Sequence, residues 1–255
     1  MAKDRKHNKL QLPQVTLVAM TSIKVWETIR ALSYSMQGVD YGEVVLISHR
    51  RPFFLPKGIT YKHTSKLTDI DCFNYKMVYE LGDYIETPFA MIVHYDGFVV
   101  HPESWRDEFL HYDYIGSPWP MPKPGTKHCY HDIHGNLCRV GNSVSLRSKR
   151  LMEFPRQAGL PWERDEDGFY NEDIFICCTN KHRFEEAGME FAPIDVAKYF
   201  AHEHPIPEVA GITPFAFHKW WGANEKYPVF INPLTKAWKK CKDIIRPFLF
   251  WRKIK

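Results

Sequence analysis

The sequence lacks any apolar run approaching the roughly 18–20 residues that a helix needs to cross a bilayer. Its most apolar short stretches, 89–93 and 97–100, are strand-sized. The first eleven residues are polar and basic with no apolar centre, so they do not read as a secretory leader. Cysteine is sparse, six residues at 72, 129, 138, 177, 178 and 241, and none forms a CxxC pair. That usage excludes a disulfide scaffold and leads us to expect a reducing, cytoplasmic setting. GxGxxG, GxxxxGK[ST], GxSxG and HExxH are absent, which argues against the common dinucleotide, P-loop, hydrolase and zincin chemistries. There is no internal repeat and no low-complexity tract.

Net charge is also small, +4, but it is unevenly placed. Residues 236–255 hold eight Lys/Arg and one acid, Asp243, while the rest of the chain is mildly acidic. A basic face over the whole molecule is missing, and no nucleic-acid partner is expected. In the tail, Leu234, Trp238, Cys241, Ile245 and Phe248 share one helical face with the lysines largely off it, and aromatics follow Pro247. Such a segment suits an anionic membrane interface, peripheral at the inner face, or it docks on the domain itself.

What is present is a globular composition, 44% hydrophobic and 25% charged over 255 residues. Residues 15–20 (VTLVAM) read as a buried strand, followed by Thr21 and Ser22 and an apolar helical spacing over 23–36. Residues 44–47 and 60–63 read as further strands. Phe73, Met77, Leu81 and Ile85 recur every four residues and predict one helix over 71–85. Residues 89–93 form a strand run ending in His94-Tyr95-Asp96-Gly97. Strand, helix, strand, helix, strand is the order of a parallel, helix-covered sheet. In such sheets ligands bind beyond the carboxyl ends of the strands, where Asp96 falls. Later segments are less regular. We expect a short helix at 103–110, strands at 114–116, 139–146 and 191–194, a loop at 121–136, and helices at 148–154 and 171–188. The expected division is a basic extension 1–11, one domain 12–233 and the basic amphipathic tail 234–255.

Several constellations carry chemistry, each beside a plainer reading. Alternate strand residues share a face, so His94 and Asp96 could project together and share a cation, or Asp96 simply caps the turn at Gly97. The small residues of Gly141-Asn142-Ser143 would let backbone approach a ligand, or form a plain turn. Glu172 and Asp173 are either ordinary helix-start acids or include a general base. His128, Cys129, His131, His134 and Cys138 crowd eleven residues but fit no standard zinc spacing. They are a polar loop or a zinc-organised interaction module. His218, among aromatics, becomes a ligand only if the fold brings it to Asp96.

Taken in chain order, LPQVTLVAMTS, EVVLIS, YELGDYIETPFAMIVHYDGFVVHPESW, EFLHYDYIGSPWP, VGNSVSLRS, NEDIFICC, FAPIDVAKYFAHE and FAFH resemble an uncharacterised glycosyltransferase-like family. Its members carry QWDGFV, YDYIGAPW, GNGGFSLRS, ED and FGFHG segments in this order. The resemblance covers residues 12–222. It implies a GT-A-type, Rossmann-like α/β fold with a mostly parallel central sheet, a nucleotide-sugar donor, a glycan or lipid-linked acceptor, and Mn²⁺ or Mg²⁺. It implies Asp96 and His218 as metal ligands, Asp173 as the base of an inverting transfer and Glu172 as its acceptor-binding neighbour. Thr21, Ser22, Tyr79, His94, Asp96 and Gly97 would flank the donor, and Trp119, Gly141, Asn142 and Ser143 the acceptor. Two departures stand out: His94 holds the place of the first acid of a D-x-D element, and GNSVSLRS lacks the paired glycines. A degenerate member that binds a nucleotide sugar or glycan without turnover is the competing expectation. The spatial test is whether Asp96, Asp173 and His218 converge on one cleft.

Overall fold

The computed structural model describes residues 9–122, 130–164 and 171–233. The first half forms β1 (Leu10–Met20), α1 (Val25–Ser35), β2 (Val39–Ser48), β3 (Thr60–His63), α2 (Ile70–Tyr79) and β4 (Phe89–Ile92). β5 (Gly97–Val99), β6 (Tyr114–Pro118), β7 (Val140–Ser148), α3 (Lys149–Gln157), α4 (Glu172–Ile174), α5 (Lys181–Glu186), α6 (Ile194–Phe200), β8 (Ala201–His202) and β9 (Ala216–His218) follow. The result is a mixed α/β fold around a six-stranded sheet in the order β3-β2-β1-β4-β7-β6. β3, β2, β1 and β4 are mutually parallel, and β7 runs antiparallel to β4 and β6.

Period-two alternation explains why the central strands are apolar on both sides. Leu17, Ala19, Val44, Leu46, Met91 and Val93 face one core with Ile29 and Leu32 of α1 and Ala197 and Phe200 of α6. Val18, Met20, Val45, Ile47, Ala90 and Ile92 face the other, against Met77 of α2 and Met152 of α3. A second sheet of three short strands, β5-β9-β8, sits within the first of these cores through Phe98, Val99, Ala216 and Phe217.

Several expectations change. Leu10 and Gln11 already belong to β1, because Leu10 pairs with Val39. The helix over 71–85 is divided: α2 ends at Tyr79 and a tight 3₁₀ turn takes Leu81–Tyr84. Gly82 lies there against α3, 3.3 Å from Glu153 Cγ when a Cβ is added. The helix at 103–110 is two 3₁₀ turns, Pro102–Ser104 and Asp107–His111. The helix over 171–188 is broken by a wide π turn at Phe175–Thr179, in which Asn180 N–H reaches the Phe175 carbonyl at 3.0 Å. The strand at 191–194 is reduced to one bridge from Phe191 to Tyr114, since Pro193 caps α6 instead. No helix among the described residues is long and apolar enough to cross a membrane. The tail 234–255, and His128 and Cys129 of the His/Cys-rich run, lie outside the described residues.

Candidate active site

Beyond the carboxyl ends of β1 and β4 lies a cleft of about 490 Å³, bounded by the start of α1, the start of α2 and the turns after β4 and β9. Thr21 and Ser22 shape one wall. The Thr21 hydroxyl donates to the Ile23 carbonyl and accepts from Ile23 N–H, while Ser22 Oγ accepts from Leu67 N–H at 2.9 Å. α1 begins without a side-chain cap, its first-turn N–H groups left to solvent or ligand.

The opposite wall is the turn His94–Gly97, closed by His94 N–H to the Gly97 carbonyl at 2.7 Å. Gly97 starts β5 and pairs with His218 of β9. A Cβ at Gly97 would stand 2.6 Å from Val144 Cγ2, 2.7 Å from His218 Cδ2 and 2.9 Å from the Phe217 carbonyl oxygen. A backbone oxygen cannot give way without moving β9. Gly97→Ala is therefore expected to cost about 1–3 kcal/mol in a urea melt. It should also displace His218 from Asp96.

Asp96 is 4% exposed. Its carboxylate receives Lys219 Nζ and stands 3.8 Å from His218 Nε2. Burial pushes its pKa up, but His218 and Lys219 outweigh that and hold it below the usual carboxylate range. His94 is pushed down to about 3, first by burial and then by His218, so it is a neutral imidazole at neutral pH. The other nitrogen of His218, Nδ1, faces Glu203 Oε1 at 3.1 Å. Glu203 is also lowered, its burial offset by the hydrogen bond and charge of His218. Its second oxygen accepts from Asn142 Nδ2. Asn142, 2% exposed, takes a φ of 94° and steadies itself by accepting Val144 N–H on its own Oδ1 at 2.9 Å. This left-handed position is where the glycine-poor segment still needs a glycine-like backbone, and asparagine is the side chain best suited to it.

Beside this chain of contacts stands Asp173. Burial, then the charges of Glu172 and Glu203, push its carboxyl up to about 8. Glu172 is 3% exposed and meets Arg147 at 3.2 Å; Arg147 is fully buried, bonds Ser145 Oγ at 3.0 Å and lies 5.4 Å over the Tyr114 ring.

Residues 73–218 match the model of a family described as Protein of unknown function (DUF5672). The chain belongs to the DUF5672 family. The match runs from α2 through β9 and so takes in Asp96, Asn142, Asp173, Glu203 and His218, but not Thr21, Ser22 or Lys219. No curated protein matches the sequence. Solved structures that this DUF5672 chain is similar to include the galactosyltransferase LgtC with donor and acceptor sugar analogues, at 10% identity and a TM-score of 0.49 over 82% of this chain and 87% of that one. Another is the apo-form glycosyltransferase GlyE of Streptococcus pneumoniae TIGR4, at 11% identity and a TM-score of 0.44 over 95% and 64%.

In this DUF5672 protein the expected site residues divide into three groups. Thr21, Ser22, His94, Asp96, Ser143 and His218 line the cleft together. Asp173 does not line it, but Glu203 and Asn142 connect its neighbourhood to His218. The others turn elsewhere. Tyr79 donates to the Leu160 carbonyl at 2.7 Å and packs with Tyr75, Trp162 and Phe175, because α2 gives the cleft its Ile70 and Phe73 side. Trp119, 4% exposed, packs so tightly on Gly141 that an added Cβ there would be 1.9 Å from Cζ2. Glu172 faces Arg147 rather than open space.

Asp96 and His218, expected as metal ligands, do meet, but a divalent ion needs several free donors. One Asp96 oxygen is given to an ammonium, which leaves the other Asp96 oxygen and His218 Nε2 as the only two donors of the expected pair. Among the described residues no group of three or more His, Cys, Asp or Glu side chains is placed to hold a metal ion, at His131, His134 and Cys138 or elsewhere. Asp96 and His218 alone are too few donors for a divalent cation. Sequence reasoning did not single out Lys219 and Glu203. Each follows a quoted segment or ends one, FAFH and FAHE, without a spacing that marks it.

Proposed function

We propose that the chain transfers a glycosyl group from a nucleotide-sugar donor to a hydroxyl of a glycan or lipid-linked acceptor. The observation that carries this reading is a donor-sized cleft at the carboxyl ends of parallel strands whose wall continues through Asp96, His218, Glu203 and Asn142 toward an acid with a raised pKa. The sequence segments shared with glycosyltransferase-like proteins support it. The donor lies along Thr21, Ser22 and Asp96, and the acceptor enters past Ser143. The acceptor oxygen attacks the anomeric carbon as the carbon–oxygen bond to the diphosphate breaks. The nucleoside diphosphate leaves with the bonding electrons, and the hydroxyl proton goes to Asp173. A single displacement of this kind inverts the anomeric centre.

A second reading, binding of a nucleotide sugar or glycan without turnover, is favoured by two observations, the ammonium already seated on Asp96 and the position of Asp173 outside the cleft that Asp96 and His218 line. A panel of nucleotide sugars separates the two by release of free nucleoside diphosphate. We expect one donor to be hydrolysed slowly in water and faster with a glycan acceptor. Tight binding of a donor with no release assigns the second reading, and neither binding nor release overturns both.

A further inference from the structure

Three described non-glycine residues adopt a left-handed backbone: Lys24 (φ 47°), Asn142 (φ 94°) and Lys219 (φ 62°). Lys219 lines the cleft, Lys24 stands over the ring of Tyr95, which lines it, and Asn142 donates to Glu203 behind His218. Each such residue is strained and persists where the surroundings over-determine it, which is characteristic of functional sites. Lys219 is held by its own N–H to the Asp96 carbonyl at 2.8 Å and by its carbonyl, which accepts Asn224 Nδ2 at 3.1 Å. Asn224 is 4% exposed and its amide also binds the His202 carbonyl at 3.0 Å, so the clamp itself is fixed. The consequence is an ammonium delivered into the cleft onto Asp96, 123 residues earlier in the chain. Across the mouth, Lys24 carries its Nζ 3.8 Å above the Tyr95 ring, with no ion pair to an acid among the described residues. The other acid on the wall, Asp69, has both oxygens engaged: it accepts Cys72 N–H at 2.8 Å and the Thr68 hydroxyl at 2.9 Å at the start of α2.

We propose that Lys219 is the resident cation of this cleft: its ammonium, with that of Lys24 at the rim, binds the diphosphate of the donor in place of a divalent ion, and Asp96 is its positioning residue. This rests on the nucleotide-sugar reading. An ammonium is a compact point charge with three donors, well matched to phosphate oxygens. Asp96 holds it extended into the cleft, and an incoming diphosphate exchanges for the carboxylate or shares the ammonium with it. The charge that builds on the leaving diphosphate is then offset by the protein's own side chains.

Isothermal calorimetry of the full chain with inorganic pyrophosphate, the part common to all nucleoside diphosphates, tests this. Binding is expected in EDTA. Lys219→Gln should weaken it by about 10- to 100-fold, the loss of one charge-assisted hydrogen-bonding group. Lys219→Arg should retain most of it, and Asp96→Asn should still bind in EDTA. Thermal melts establish that each variant folds. If Lys219→Gln melts early, the Arg and Asn variants decide, since loss of binding in both would overturn the proposal. Binding that appears only with added manganese, or that is unchanged in folded Lys219→Gln, overturns the resident cation and leaves glycosyl transfer standing. No pyrophosphate binding under either condition overturns both.

Discussion

Asp173→Asn is expected to lower turnover by about 10²–10⁴-fold, the range that a positioned general base contributes. Asparagine keeps the volume, and its side-chain oxygen still accepts the Ile174 N–H that Asp173 Oδ1 holds at 2.9 Å. Donor affinity should therefore stay close to the parent, because the proposed donor site at Thr21, Ser22 and Asp96 lies in a cleft that Asp173 does not line. Comparison of kcat with the donor dissociation constant measures this split. A variant with near-normal turnover would make Asp173 an ordinary helix-start acid.

The proposed base role of the same residue carries a pH dependence of definite sign. Its carboxyl is pushed up to about 8, so below that pH the base is largely protonated. Activity should climb as pH rises toward about 8 and level off above it, and Asp173→Asn should lose this limb. Stability runs the other way. The unfolded chain releases this proton near the ordinary value of 3.8, whereas the folded chain keeps it until about 8. Between these values the native state binds the extra proton, so this group's contribution falls as pH rises and is flat above about 8. Asp173→Asn should melt higher than the parent at alkaline pH and alike near pH 4. Parallel melts at the two ends of the window check it.

The parallel half of the sheet is legible because strands covered on both faces are continuous apolar runs, as in VTLVAM and FAMIV. The position of Asp96 follows from the same logic, being the acid just past such a run. β5, β8 and β9 are three, two and three residues long, too short for any period to register. α6 hides behind an apolar stretch that Pro193 converts into a helix start. Tyr79 misleads because sequence proximity to the cleft says nothing about which side of α2 it occupies. Lys219 is invisible for a different reason. Its role depends on a backbone angle and on an acid far away in the chain, and neither leaves a local pattern. Glu203 likewise acquires its partners only when β8 and β9 pair beside β7.

The largest stability effect should come from Arg147. It is fully buried, and its guanidinium reaches Glu172, the neighbour of Asp173, at 3.2 Å. Removing one member of a buried ion pair leaves the other charge uncompensated, at about 3–5 kcal/mol. Total stabilities of domains are only about 5–15 kcal/mol. Arg147→Met should thus lower the urea midpoint severely, whereas the double variant Arg147→Met/Glu172→Leu, apolar on both sides, should recover most of that loss. The pair also tunes Asp173, with opposite signs: Glu172 raises its pKa and Arg147 lowers it. Glu172→Gln should accordingly move the acid limb of the pH–rate profile to lower pH, and Arg147→Met should move it higher, in whatever fraction of the protein remains folded. A merely structural pair would change the melts and leave the limb where it was. Shifts of the limb in these two opposite directions would tie the buried pair to Asp173 through its charge.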